Sequence, residues 1–237
     1  MKTKSCLNVF IFCLLLLGFS QYSYGLEKRD ISAKTKGLVV YHFDEPDIQK
    51  KLNVDFGSWE LHPSYITDAT VVRSQDEKEA EEFGNVLRIS YDVSMSQEDL
   101  PYANYPTFNG VWFHLGDVDL SEYDTLVFYA RGDGDAGFTS RFKVELKNNK
   151  GEIGKYYVND IGFSWRRLEI PMNMFKTDVG KSLKSFKSLK ELTIVFEKEQ
   201  VTKKKGVIFV DNIYFSGPKD VFKKPEVETA KPAALKK

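Results

Sequence analysis

The stretch RFKVELKN, residues 141–148, sets Phe142, Val144 and Leu146 on one side of an extended chain and Arg141, Lys143 and Glu145 on the other. A period of two belongs to a strand with one face buried, because successive side chains of an extended backbone point to opposite sides. The same pattern recurs at 38–43 (LVVYHF), 65–74, 85–94, 110–115 (GVWFHL), 125–131 (TLVFYAR), 155–161, 165–170, 191–197 (ELTIVFE) and 207–215 (VIFVDNIYF). Turn chemistry such as Asp44-Glu45-Pro46-Asp47 separates these runs. About ten short strands without a repeat predict an all-β chain: two antiparallel sheets packed face to face as a jelly-roll sandwich. Each strand then gives one face to the core and one to solvent. The one helical suspect is 172–190, where Leu183, Phe186 and Leu189 fall near helical spacing. Gly180 and the lysine spacing weaken it, so a loop with a short helical turn is expected there.

The two ends of the chain differ from this body. Lys2 and Lys4 precede an apolar run, Val9 to Gly18, that is too short to span a bilayer, and Ser23 and Gly25 place small residues before Leu26. Residues 1–25 therefore read as a secretory signal peptide, which predicts a secreted or periplasmic protein. Both cysteines, Cys6 and Cys13, fall inside that segment, so a mature chain would carry no disulfide. Residues 26–37 read as a lead-in, 38–217 as the sandwich domain, and 218–237 as a disordered tail rich in Lys, Pro and Ala. The tail holds six lysines against Asp220, Glu226 and Glu228, a basic extension that suits an envelope partner. The whole chain has 34 basic and 34 acidic residues, and without the two ends the body is mildly acidic. That balance gives no electrostatic reason to expect nucleic-acid binding.

The last strand poses a question of its own. In GVIFVDNIYFSG, residues 206–217, strict alternation aligns Asp211 with Val207, Phe209, Ile213 and Phe215. An unpaired buried carboxylate is costly, so Asp211 calls for a cationic partner, backbone N–H donors or a metal ion. A second question concerns the polar faces of the middle strands. These carry Arg88, Ser90, Trp112, His114, Tyr129, Lys143, Glu145 and Glu197. If those strands share a sheet, its face combines flat aromatics with hydrogen-bonding charges. Sugars favour such surfaces, because their C–H faces stack on rings and their hydroxyls need both donors and acceptors. The same set also reads as an ordinary solvated face with aromatic fillers.

The order of the pieces HFDE (42–45), Trp59, GNVLRISYD (84–92), GVWFHLGDVDLSEYDTLVFYARGDG (110–134), FKVELKN (142–148), WRRLEIPMNMF (165–175), LKELTIVFE (189–197) and GVIFVDNIYF (206–215) resembles the galactose-binding-like jelly-roll group of non-catalytic carbohydrate-binding modules. Family 11 modules and the domain of the complex I intermediate-associated protein are the most similar in pattern. The resemblance implies a structural calcium held by an acidic residue after the first strand and an Asp on the last. The matching positions are Asp44 and Asp211, with Glu45 and Asp47 in the adjoining turn as further oxygen donors. It also implies glycan binding on one sheet face through Trp112, Tyr129, His114, Arg88, Lys143 and Glu145. Tyr102 and Tyr105 of PYANYP would line one end of that cleft. Trp165 matches a tryptophan that packs in the core of this group, and Trp59 is expected in a structural place as well.

Enzyme signatures are sparse. The sequence has no E-x-D-x-x-E run, no G-x-S-x-G and no mature cysteine, and His42, His62 and His114 lack zinc-ligand spacing. The RGD at 131–133 reads as turn chemistry at a strand end. Three functions follow in order: an exported, calcium-stabilised, non-catalytic domain that binds a polysaccharide or other glycan; a structural or protein-binding envelope domain on the same fold; and a carbohydrate-active enzyme.

Overall fold

The computed structural model describes residues 38–44, 55–74, 76–102 and 104–217. The expected signal peptide, lead-in and tail lie outside these residues, as do Glu45 and Asp47. Eleven strands form among the described residues: β1 (Leu38–Tyr41), β2 (Phe56–Glu60), β3 (Tyr65–Arg73), β4 (Asn85–Asp92), β5 (Phe108–Val118), β6 (Thr125–Gly132), β7 (Phe142–Asn148), β8 (Ile153–Val158), β9 (Arg166–Pro171), β10 (Leu189–Glu197) and β11 (Lys205–Ser216). One sheet runs β3-β4-β11-β6-β9, with β1 also pairing β11, and the other runs β2-β5-β10-β7-β8. Every pairing is antiparallel. This is the sandwich that the alternation predicts.

The alternating apolar residues meet between the sheets. Leu87, Ile89 and Tyr91 of β4, Leu126, Phe128 and Ala130 of β6, Phe142, Val144 and Leu146 of β7, and Leu192, Ile194 and Phe196 of β10 all join one core. Tyr91 stacks on Phe196 across the two sheets, with ring centroids 4.1 Å apart. Each such ring removes 150–250 Å² from water, which is the main term holding the sheets together.

Three local features differ from the sequence expectation. β2, FGSWE, carries no clean alternation and was not expected as a strand. A short helix, α1 (Glu77–Glu82), is also new: EKEAEE buries no residue and shows no apolar stripe, but Asp76 caps it by accepting the Glu79 N–H at 3.0 Å. In β11 the pairing with β6 shifts register between Asp211 and Tyr214, and Asn212 takes a φ of 52°. This bulge reverses the facing of the strand. Ile208 and Val210 point into the core before it, and Ile213 and Phe215 after it, whereas Val207 and Phe209 point out. Asp211 therefore does not share a face with Ile213 and Phe215. The 172–190 segment behaves as expected, with a 3-10 turn at Met172–Met174 followed by a loop that bridges to β8 through Lys176.

The outer face of the first sheet is partly roofed. Phe83, just after α1, packs with Val86, Val207 and Phe209, and with Val72, Tyr129 and Trp165. Trp165 thus packs under this roof rather than between the sheets, stacked on Phe83 with centroids 4.3 Å apart. The Arg131 guanidinium lies over Phe209 at 4.1 Å and pairs with Glu79 at 3.0 Å. RGD is therefore a strand end folded under a helix.

Candidate functional site

The outer face of the second sheet collects the polar half of its strands. Two cross-strand rows are set by the register. One runs Gly57–Trp112–Thr193–Glu145–Lys155, and the next runs Trp59–Gly110–Val195–Lys143–Tyr157. Trp112, His114, Lys143, Glu145 and Glu197 of the expected set are thus brought onto one face. Trp59 and Tyr157 join them.

The centre of the face is an ion cluster. The Lys143 ammonium contacts Glu145 at 2.7 Å and Glu197 at 2.5 Å, and only 6% of its side chain is exposed. Burial alone would push the Lys143 pKa down, but hydrogen bonds and charge from Glu145 and Glu197 outweigh it, and the net shift is upward. Tyr157 donates its hydroxyl to Glu197 at 3.1 Å, and Thr193 donates to Glu145 at 3.4 Å. Arg141 lies over the Tyr157 ring at 4.9 Å. Carboxylate oxygens accept from a diol, and the cations beside them donate to hydroxyl or ring oxygens, so the cluster supplies both halves of sugar recognition.

The aromatic part lies across β2 and β5. Trp112 faces Gly57 in the register and Trp59 faces Gly110. A Cβ at Gly57 would lie 2.6 Å from Trp112 Cζ2, and one at Gly110 would lie 3.0 Å from Trp59 Cζ2. Each indole thus leans over the glycine opposite it. Phe108 meets the Trp59 ring edge-on at 5.3 Å, and His114, beside Trp112, contacts Asp55 at 3.2 Å.

Three of the expected residues stand elsewhere. Tyr129 lies on β6, and Arg88 and Ser90 on β4, in the first sheet and so on the opposite side of the sandwich from Trp112. Tyr129 meets Phe83 edge-on under the roof, and Arg88 binds Asp68 at 2.6 Å and Ser90 at 2.8 Å. Tyr102 and Tyr105 sit on the loop leading into β5, exposed, with their centroids 6.3 Å apart and Tyr102 against His62. The three histidines each face a different aspartate, at separate places.

The Asp211 bulge meets the end of β1. Asp211 is 1% exposed, and its Oδ2 accepts from the Asn212 side chain at 2.8 Å. Its Oδ1 and the Asn212 Oδ1 are buried without hydrogen-bond partners. Burial pushes the Asp211 pKa up to about 8; the nearby Asp44 charge adds to this, while backbone N–H groups of Asn212 and Phe43 oppose it. Asp44 itself accepts the Asn85 N–H at 2.5 Å and rests on Gly84, whose φ of 60° and lack of a Cβ leave the space. The Asp44 charge thus acts on the Asp211–Asn212 bulge near the end of β1. Among the described residues no three His, Cys, Asp or Glu side chains are grouped as a metal site. Further oxygens would have to come from Asn212, from carbonyls or from the 45–47 turn.

The architecture has solved counterparts. A family 11 carbohydrate-binding module of a cellulosomal cellulase of Clostridium thermocellum superposes with a TM-score of 0.54 at 18% identity, over 77% of this chain and 95% of the module. The fold is that of the family 11 carbohydrate-binding modules. A second structure of a family 11 module from that organism, in complex with a β-1,3-1,4-mixed-linked tetrasaccharide, gives a TM-score of 0.53 at 20% identity, over 76% of this chain and 95% of the module. An exo-β-agarase matches 77% of this chain with 25% of its own, at a TM-score of 0.52 and 11% identity. No protein-family model and no curated protein matches the sequence. Among the described residues no helix is long and apolar enough to cross a membrane.

Proposed function

We propose that this chain is an exported, non-catalytic glycan-binding domain that lays a polysaccharide across the outer face of the second sheet. The observation that carries this reading is the juxtaposition of Trp59 and Trp112 with the Lys143–Glu145–Glu197 cluster and Tyr157 on one face. Five strands at a spacing of about 4.8 Å make a face about 19 Å wide, room for several linked sugar rings. The rings would stack on the tryptophans at the β2–β5 side while hydroxyls meet the ion cluster. Export is supported by the signal-like pattern of residues 1–25. The test is isothermal titration and affinity electrophoresis of the mature protein on soluble polysaccharides, beginning with mixed-linkage β-glucan, the linkage of the sugar held by the similar module. Binding without new reducing ends supports the reading. Binding of no glycan favours a structural or protein-binding envelope role, and cleavage of a polymer favours an enzyme.

We also propose that calcium occupies the junction of Asp44 and Asp211. The orphaned Asp211 Oδ1 and Asn212 Oδ1 suit a hard cation, which takes six to eight oxygens including carbonyls. A cation there would favour the ionised form of the buried Asp211 and displace its proton. Saturating calcium is expected to raise the thermal midpoint by several degrees, and EDTA to lower it. Asp211→Ala should abolish the calcium response. A midpoint indifferent to both reagents would refute the metal.

A further inference from the structure

We propose that Gly57 is a positioning residue of the glycan face: by leaving its own space empty it lets the Trp112 indole lie down across β2 and turn its free side outward. This rests on the glycan reading above. The register sets Gly57 opposite Trp112, on the edge strand of the sheet. The place of a Cβ at residue 57 is taken by the indole, with Cζ2 at 2.6 Å, Cε2 at 2.9 Å and Nε1 at 3.1 Å. All three contacts come from a side chain and none from backbone. A Cβ at residue 57 is therefore accommodated by moving the ring, with the strand left in place.

Gly110 does the same for Trp59 from the other strand, since a Cβ there would meet Trp59 Cζ2 at 3.0 Å and Cε2 at 3.2 Å. The two pairs are reciprocal and adjacent: each strand supplies one ring and one seat, two residues apart on the same face. The rings therefore lean toward each other's strands and roof the β2–β5 gap as one surface. A ring standing upright offers a ligand its edge, whereas a ring lying flat offers the face that C–H groups stack upon. Gly110 is the less useful position to test, because its Cβ would also meet the Ile194 carbonyl oxygen at 2.5 Å and strain the sheet.

The test is a four-protein cycle: wild type, Gly57→Ala, Trp112→Phe and the double variant. Affinity for mixed-linkage β-glucan is measured by titration, and the tryptophan region of the near-ultraviolet circular dichroism is recorded without ligand. Gly57→Ala is expected to keep the wild-type thermal midpoint, to change the near-ultraviolet spectrum, and to weaken binding at least fivefold. In the Trp112→Phe background the same alanine should have no further effect on affinity, because phenylalanine lacks the indole Cζ2 and Nε1 that crowd the place of a Cβ at residue 57. Equal weakening in both backgrounds, or wild-type affinity and spectrum for Gly57→Ala, would overturn the positioning role while leaving the glycan reading intact. Failure of the wild type to bind any glycan would overturn the glycan reading and this role with it.

Discussion

Trp112→Ala is expected to weaken polysaccharide binding about 30-fold or more, with the thermal midpoint changed by no more than a few degrees. The ring covers Gly57 at the surface and takes no part in the core between the sheets. Losing an aromatic stacking platform from a binding face costs roughly 2 kcal/mol, which is the size of an interface hot spot. Trp59→Ala should act in the same direction, and the double variant should bind no detectable glycan. Titration against mixed-linkage β-glucan with parallel calorimetric melting separates the two effects. If Trp112→Ala binds like wild type, the aromatic face is not where the ligand lies. If it loses binding only because it has unfolded, the melt will show it.

Lys143→Met is expected to have the largest effect on stability of any surface-side substitution in the second sheet. The ammonium holds Glu145 and Glu197 on either side, and those side chains are 17% and 25% exposed. Removing the cation leaves two carboxylates together with little water between them. A fully buried pair broken this way costs about 3–5 kcal/mol, and the partial exposure here reduces that to about 2–3 kcal/mol. The midpoint should fall by about 5–10 °C, and adding Glu145→Gln and Glu197→Gln should recover most of it. The pH dependence has a definite sign. The Lys143 pKa is raised in the folded state above its ordinary value of 10.5. Its ionic contribution is therefore complete below that value and is lost as the pH climbs through the raised one. Wild type should lose more stability in that alkaline window than Lys143→Met, which keeps only the loss that both share from Tyr41 and Tyr91, whose burial raises their pKa values. Melting curves across pH 8 to 12 decide it.

The strands were legible because alternation is a local property: RFKVELKN and TLVFYAR state their own faces. Sheet membership is not local. Tyr129 and Lys143 alternate in the same way, yet one belongs to β6 beneath α1 and the other to β7 on the open face. Only the pairing of β6 with β11 and of β7 with β10 separates them. Trp59, expected in a structural place, lies instead on the outer face over Gly110, and the sequence hides this for a related reason. FGSWE has a glycine where an alternating residue should be, and that glycine makes sense only beside Trp112. In β11 the residue types were informative and the parity was not. Asp211 in an apolar run signals something unusual, but a bulge changes the count by one and no periodicity reveals that in advance. The resemblance names Asp44 and Asp211 together, and in the structure Asp44 rests on Gly84 while its charge acts on the buried Asp211.

The positions of the last two strands bear on how the chain acquires its shape. β10 lies between β5 and β7 in the middle of one sheet, and β11 lies against β4, β6 and β1 in the middle of the other. Until residues 189–216 arrive, the earlier strands form only edge fragments: β2 with β5, β7 with β8, β3 with β4, β6 with β9. Without β10 and β11 these pairs are not joined into sheets. Most pairings that complete the sandwich span long stretches of sequence, which makes closure slow and all-or-none. A chain stopped before Leu189 is thus left with exposed strand edges, open to pairing with other chains. The last two strands are the keystones, one for each sheet, and Asp211 reaches the end of β1 only when β11 is in place.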